Sequence, residues 1–184
     1  MIIITSQTNS EPFKILVVCL GNMCRSPAGE YLLRYYYESE YKNLNRSLKP
    51  ELQVESACLN PASSGMAKNT KLFLENKGIQ TNHFISQSIP FDPVEKYDWI
   101  LVMDSYMKEE IIDQYYTKFK HMAPEKYKKA QERIILFSEA AGRSGNITDP
   151  FGLPKPKYFS ILNIIDKDSQ KIILRLLTNN SLIG

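Results

Sequence analysis

Short apolar runs alternate along the chain with longer segments whose apolar residues recur at helical spacing. The runs predict strands over residues 13–19, 98–104 and 133–137, and alternation of apolar and polar residues predicts a further strand over 52–57. The helical spacing predicts a helix that begins at Ser26-Pro27, others over 66–77 and 117–132, and an amphipathic closing helix over 159–177. Such alternation predicts an α/β fold, with a parallel sheet and helices on both of its faces.

The segments between these elements are polar and rich in turn-forming residues. Residues 1–12 are predicted to be a flexible N-terminal leader, and residues 13–184 a single domain. Gly78 is placed to end the second helix, and residues 83–89 are expected to be a short strand or extended piece. A further helix is expected from an N-cap at Ser105 to about residue 116. Residues 138–157 predict a long loop, and a loop of that length in a compact domain usually has a function.

Composition and charge narrow the possible functions. The 184 residues include 23 basic and 20 acidic side chains, a balance that does not indicate a nucleic-acid partner or an acidic membrane surface. The first residues lack the basic start and apolar core of a signal peptide, and no apolar stretch approaches the ~20 residues that cross a bilayer. Three cysteines do not make a secreted disulfide scaffold, so we expect a cytoplasmic protein.

The stretch C-L-G-N-M-C-R-S, residues 19–26, directly follows the first predicted strand. Ligands of parallel α/β sheets bind beyond the carboxyl ends of the strands. Three candidate groups fall there or in the nearby loop: Cys19, Asp104 and Asp149. A strand, a turn that carries Gly21 and the start of a helix make an anion site, because loop N–H groups and the helix dipole attract negative charge.

Arg25 adds a planar fork whose donors match two phosphate oxygens. Cys19 in this positive field should be a thiolate at neutral pH, and therefore a nucleophile aimed at phosphorus. The five residues between them let the loop curl, with the sulfur at its base and the guanidinium at its side. Cleavage of a phosphate ester also needs an acid for the leaving oxygen. Asp149 in T-D-P-F-G is the candidate, although Asp-Pro is also an ordinary turn signal.

Other interpretations of this stretch are weaker. Cys19 and Cys24 could form half of a zinc site, but no cluster of His or Cys supplies further ligands, so neither a metal nor a cofactor is expected. A Walker nucleotide loop is excluded because no G-K-[ST] follows the glycine. Cys58 is expected to be a small buried apolar residue.

Three stretches together resemble the low-molecular-weight protein tyrosine phosphatases: V-C-L-G-N-M-C-R-S-P, D-W-I-L-V-M-D and D-P-F-G. The resemblance extends from about Lys14 to Leu177. It implies a four-stranded parallel sheet with a phosphate-binding loop after the first strand. It also implies Cys19 as nucleophile, Arg25 as phosphate clamp and Asp149 as general acid.

The same resemblance implies further roles around the loop. Asn22 and Ser26 within it, with Ser56 and His83 outside it, would shape the loop through hydrogen bonds. Phe151 would be a single aromatic wall, where many relatives carry two tyrosines. The residues expected to bind phosphate or substrate are Leu20, Gly21, Asn22, Met23, Cys24, Ser26 and Phe151. Residues 60–64 lack the aromatic that some relatives place beside the substrate, and the insertions near 41–51 and 117–132 have no explanation.

Two neighbouring branches of this fold are alternatives. Arsenate reductases need further cysteines downstream, and none follows Asp104. Protein arginine phosphatases typically carry a small Thr where Met23 stands, so Met23 favours an aryl ester. The prediction is therefore hydrolysis of phosphotyrosine, in a protein or a small aryl phosphate, through a phosphocysteine. A catalytically weak phosphotyrosine-binding module is a further alternative, and whether Cys24 forms a reversible disulfide with Cys19 or stays an inert thiol is left open.

Overall fold

A computed structural model describes residues 11–41, 51–60 and 65–178. Most of the predicted leader, nearly all of the insertion near 41–51 and most of the 60–64 loop lie outside the described residues. In the described part, the buried apolar side chains form one continuous cluster. No described helix is long and apolar enough to cross a membrane.

Four parallel strands form one sheet in the order β2-β1-β3-β4. The two inner strands, β1 and β3, contain the most completely buried residues, as expected for strands covered on both faces. This confirms the predicted parallel α/β fold. The strands are β1 Phe13–Cys19, β2 Leu52–Cys58, β3 Trp99–Val102 and β4 Ile134–Leu136.

Helices connect the strands and cover the sheet. The longest, α1 and α8, pack against each other, and α2 packs on both. Gly29 lets α1 approach the sheet closely, because a Cβ at this position would lie 3.0 Å from side-chain atoms of Val17 and Phe137. The helices are α1 Arg25–Tyr41, α2 Lys68–Glu75, α3 Pro93–Lys96, α4 Ser105–Ile111, α5 Phe119–Met122, α6 Pro124–Arg133, α7 Phe137–Ala140 and α8 Lys155–Thr178, with a π-helical turn at Ile112–Tyr116.

Several predicted boundaries change. Helix α1 begins at Arg25, so Pro27 is its third residue rather than its first. Asp104, and not Ser105, caps α4, because its carboxylate accepts a hydrogen bond from the Met107 N–H at 3.0 Å. Helix α2 ends at Glu75 with Asn76 as its C-cap, two residues earlier than predicted, and Gly78, with φ +78°, lies in the turn that follows.

The segment 117–132 contains α5 and most of α6 instead of one helix, because Pro124 starts a new one. The predicted loop 138–157 is shorter than expected, since α7 extends to Ala140 and α8 begins at Lys155.

Strand β2 forms an outer edge of the sheet, and side chains and one extended segment cover part of this edge. Arg34 Nε donates to the Val54 carbonyl at 2.9 Å, and Gln87 Nε2 donates to the Ser56 carbonyl at 3.0 Å. Cys58 forms an isolated parallel bridge with Ser88 in the predicted extended piece. These contacts block further strand pairing, and they bring residues 86–88 beside the carboxyl end of β1.

Candidate active site

The loop after β1 turns sharply at Asn22, which has φ 49°. Gly21, which the sequence places in this turn, is not in the left-handed region, and a Cβ there would meet only Met23 side-chain atoms at 3.9 Å. Asn is one of the few residues that adopt the left-handed conformation at small cost. The conformation of the loop therefore depends on Asn22 and on the bonds that stabilise it.

Polar side chains connect the loop to the sheet. The Asn22 amide Nδ2 donates to Ser26 Oγ at 2.9 Å and to Ser56 Oγ at 2.8 Å. Its Oδ1 accepts from the backbone N–H of Gln87 at 3.0 Å. Ser26 Oγ in turn donates to Cys19 Sγ at 3.0 Å, so the loop delivers a hydroxyl donor to the sulfur of the predicted nucleophile.

His83 does not belong to this network, which corrects the support role expected for it. It lies exposed in a turn. The neighbouring segment reaches the loop three residues later, where Ser86 Oγ donates to the Asn22 carbonyl at 3.3 Å and Gln87 binds the Asn22 side chain. The bridge between Ser88 and β2 determines which residues of this segment face the loop.

Arg25 is 97% buried and lies at the centre of the remaining contacts. Its Nη1 donates to Asp104 Oδ2 at 3.2 Å and to the Ile147 carbonyl at 2.9 Å, and its Nη2 donates to Asp149 Oδ2 at 2.9 Å. Its Nε is buried and has no partner among the described residues. Two fixed carboxylates and a carbonyl therefore orient a guanidinium that retains an unused donor.

Asp149 and Phe151 follow in the loop before α8. The second carboxylate oxygen of Asp149 accepts a hydrogen bond from the Phe151 N–H at 3.1 Å. The carboxylate that contacts Arg25 therefore also stabilises the Asp-Pro turn. The Asp149 side chain is 43% exposed, which leaves it accessible to solvent and substrate. Phe151 and Leu20 are exposed apolar side chains of the site, whereas Met23 packs partly against the core.

Cys24 belongs to a separate buried polar cluster. Thr70 Oγ1 donates to the Cys24 carbonyl at 3.3 Å, and it shares a hydrogen bond of 2.7 Å with the Tyr158 hydroxyl. Burial raises the pKa of the Cys24 thiol to about 11. All three cysteines are free and buried, and burial also raises the pKa of the Cys58 thiol, as expected for a small buried residue. A disulfide between Cys24 and Cys19 and an inert Cys24 thiol stay the two alternatives.

Sequence reasoning missed several contributors to the site. It placed Asp104 at the carboxyl edge of the sheet but did not pair it with Arg25. It also missed Gln87 and Glu30. Glu30 could have been found, because it lies four residues after Ser26 and therefore on the same helix face. No group of three or more metal-binding side chains occurs in the described ranges.

Comparisons with known proteins identify the family of the chain. A family model described as low molecular weight phosphotyrosine protein phosphatase matches residues 14–181. A protein-arginine-phosphatase from Geobacillus stearothermophilus is 30% identical over 88% of this chain and 97% of its own length. The low molecular weight protein-tyrosine-phosphatase Wzb of Escherichia coli is 27% identical, over 85% of this chain and 90% of its own. The structure of Vibrio vulnificus Wzb in complex with benzylphosphonate superposes with a TM-score of 0.64 at 26% identity, covering 89% of this chain and 98% of that one.

Proposed function

The chain belongs to the low molecular weight phosphotyrosine protein phosphatase family of phosphoric monoester hydrolases, and we propose that it hydrolyses phosphotyrosine through a phosphocysteine on Cys19. The observation that carries the proposal is the position of Arg25. This one buried guanidinium is bonded to the predicted general acid, Asp149, and follows the loop that begins at the predicted nucleophile.

In the first step, Cys19 Sγ attacks phosphorus in line with the leaving phenolic oxygen. Arg25 and the loop N–H groups stabilise the charge on the equatorial oxygens. None of the described residues accepts a hydrogen bond from the backbone N–H groups of residues 21–24, which supports this role. The buried Arg25 Nε is a further available donor. Asp149 protonates the phenolate as the ester bond breaks.

In the second step, Asp149 acts as a base and takes a proton from water, which attacks the phosphocysteine and releases phosphate. The Ser26 hydroxyl, 3.0 Å from Cys19 Sγ, eases the departure of the sulfur by donating a hydrogen bond to it. The positive charge of Arg25 stabilises the negative charge on the equatorial phosphate oxygens in both steps.

The acid role of Asp149 predicts a dependence on the leaving group. We expect Asp149→Asn to slow kcat about 100-fold for phenyl phosphate and under about tenfold for p-nitrophenyl phosphate, whose phenolate needs little protonation. Steady-state kinetics over a series of substituted phenyl phosphates measures the difference. Asp113→Asn, at an exposed residue of the π-helical turn, is the control. Equal losses across the series would remove Asp149 from the acid role.

The choice between phosphotyrosine and phosphoarginine rests on Met23. An arginine phosphatase is among the relatives, but Met23 is a long side chain in the loop and packs partly on the core. We propose that it restricts the space beside the phosphate and favours an aryl ester over phosphoarginine.

The test of the proposed function uses the purified protein with a phosphotyrosine peptide and a matched phosphoarginine peptide. We expect phosphotyrosine to be preferred by at least about tenfold in kcat/KM, with inhibition by vanadate and insensitivity to EDTA. Met23→Thr should narrow that preference. A preference for phosphoarginine would overturn the substrate assignment, and the absence of any hydrolysis would favour the binding module. Because a nucleophilic thiol needs a reducing compartment, we also propose a cytoplasmic location.

A further inference from the structure

The polar network beneath the phosphate loop continues past Ser56 to an ion pair on α1. Ser56 Oγ donates to Glu30 Oε2 at 2.5 Å. The other carboxylate oxygen of Glu30 pairs with Arg34 Nη2 at 2.8 Å. Arg34 is in turn bound to the Val54 carbonyl of the edge strand. An unbroken path of polar contacts therefore runs from Arg34 to Cys19.

Three members of the path share one face of α1. Ser26, Glu30 and Arg34 are four residues apart, so they lie one above another along the helix. Glu30 is only 7% exposed, which is unusual for a carboxylate unless it is paired. A charge at this depth needs a function or a strong partner, and here it has a partner at each oxygen.

The number of protons on each hydroxyl and amide group determines which group donates and which accepts along this path. The Ser56 hydroxyl has one proton, and it goes to the Glu30 carboxylate, so Ser56 Oγ can only accept from Asn22. The Asn22 amide then directs its two protons to Ser56 and Ser26. Ser26 Oγ accepts one of them, and its own proton is available to Cys19 Sγ at 3.0 Å or to the Ala57 carbonyl at 3.3 Å.

We propose that Glu30 and Arg34 are positioning residues for catalysis: their ion pair orients Ser56 and Asn22, and through them the hydroxyl that Ser26 presents to the nucleophile. The catalytic meaning of this inference rests on the proposed function, in which Cys19 is the nucleophile. Asn22 is the residue with positive φ, and its side-chain bonds stabilise that conformation. The ion pair therefore acts on the loop from a distance, without touching the substrate.

The charges around Glu30 show why Arg34 is needed. Burial raises the pKa of the Glu30 carboxyl, and the charge of Glu55 raises it further. The Arg34 charge and the Ser56 hydroxyl act in the opposite direction. Without Arg34, the neutral form of Glu30 becomes more favourable, and a neutral carboxyl no longer requires the Ser56 proton. The Arg34 side chain is 43% exposed, so solvent screens part of its effect.

The experiment compares Glu30→Gln, Arg34→Gln, the double variant and Arg34→Lys. We expect Arg34→Gln to lower kcat for p-nitrophenyl phosphate about tenfold, with KM changed less, because an oriented hydrogen bond to the sulfur is lost. We also expect the pH midpoint of iodoacetate alkylation at Cys19, followed by mass spectrometry, to rise by about one unit. In Arg34→Lys, both kcat and the pH midpoint of alkylation should stay close to those of the unchanged protein. Lys128→Gln, which breaks a similarly spaced ion pair with Glu132 on α6, should change neither.

The double variant separates positioning from a structural role. If Arg34 acts through Glu30, the double variant is no worse than Glu30→Gln, because residues in one network are not additive. Additive losses, or an unchanged alkylation midpoint in Glu30→Gln and Arg34→Gln, would overturn the proposal. The alkylation midpoint does not depend on turnover. A protein without phosphatase activity would therefore contradict the proposed function, and the positioning role would still be decided.

Discussion

Cys19→Ser is expected to lower the hydrolysis of aryl phosphates by about 10⁴-fold or more, because serine lacks the thiolate that attacks phosphorus. The substitution keeps the size of the side chain and the hydrogen bond from Ser26 Oγ. Arg25 and its partners are unchanged, so the variant should still bind inorganic phosphate. Single-turnover assays measure the loss of chemistry, and phosphate-induced thermal stabilisation measures the retained binding.

Cys58→Ser is the matched control for this variant, because it removes a buried thiol that lies outside the loop. Its thiol donates to the Gln87 carbonyl at 3.1 Å and takes no part in the proposed chemistry, so the variant should keep most of the activity. Full activity in Cys19→Ser would overturn the nucleophile assignment. Loss of both activity and phosphate binding would show instead that the loop had not formed.

Arg25→Lys is expected to lower kcat about 10³-fold, because a single ammonium cannot replace a planar fork. Arg25 bonds to Asp104, the Ile147 carbonyl and Asp149 at once, and its Nε is a further buried donor. Lysine would keep the charge, but its single nitrogen cannot reproduce the spacing of the planar fork toward these three acceptors. We therefore expect weaker binding of vanadate as well as slower turnover, measured by inhibition and by steady-state kinetics.

Arg143→Lys is the matched control, because it makes the same substitution at a carboxylate-paired arginine outside the loop. Arg143 forms a bidentate pair with Asp168, in which Nε donates to Oδ1 at 3.0 Å and Nη2 donates to Oδ2 at 2.6 Å, on the part of α8 that packs in the core. This variant should lose thermal stability and keep kcat. If both Arg→Lys variants lost activity alike, Arg25 would be acting through stability and not through the phosphate.

Local patterns made parts of this structure predictable. The apolar run 13–19 coincides with β1, and the strand near residue 134 was placed within one residue at each end, because buried strands need continuous apolar sequence. The motif from Cys19 to Ser26 identified the loop because its residues are consecutive, so strand, turn and helix start follow one another in the fold whatever surrounds them. The spacing of Cys19 and Arg25 needs no distant partner to be recognised.

Contacts between residues far apart in the sequence were less predictable. Spacing and resemblance placed His83 at the loop, whereas the isolated bridge of Ser88 with Cys58 brings Ser86 and Gln87 there instead. A shift of a few residues along an extended segment changes which side chains face a neighbour, and no local pattern encodes that shift. The turn at Asn22 could not be predicted from a local pattern either. Glycine is the residue that usually adopts a positive φ, so the sequence would assign that conformation to the neighbouring Gly21.

What the sequence determined by itself is the succession of four strands along the chain, the identity of the loop and the types of side chain available in it. What only the tertiary structure decided is the set of partners. Arg25 meets Asp104 and Asp149 because the carboxyl ends of β1 and β3 share one edge of the sheet and the loop before α8 folds over it. Glu30 meets Ser56 because α1 packs beside β2. Packing makes these contacts across 26 to 124 residues of chain, beyond the reach of any local pattern.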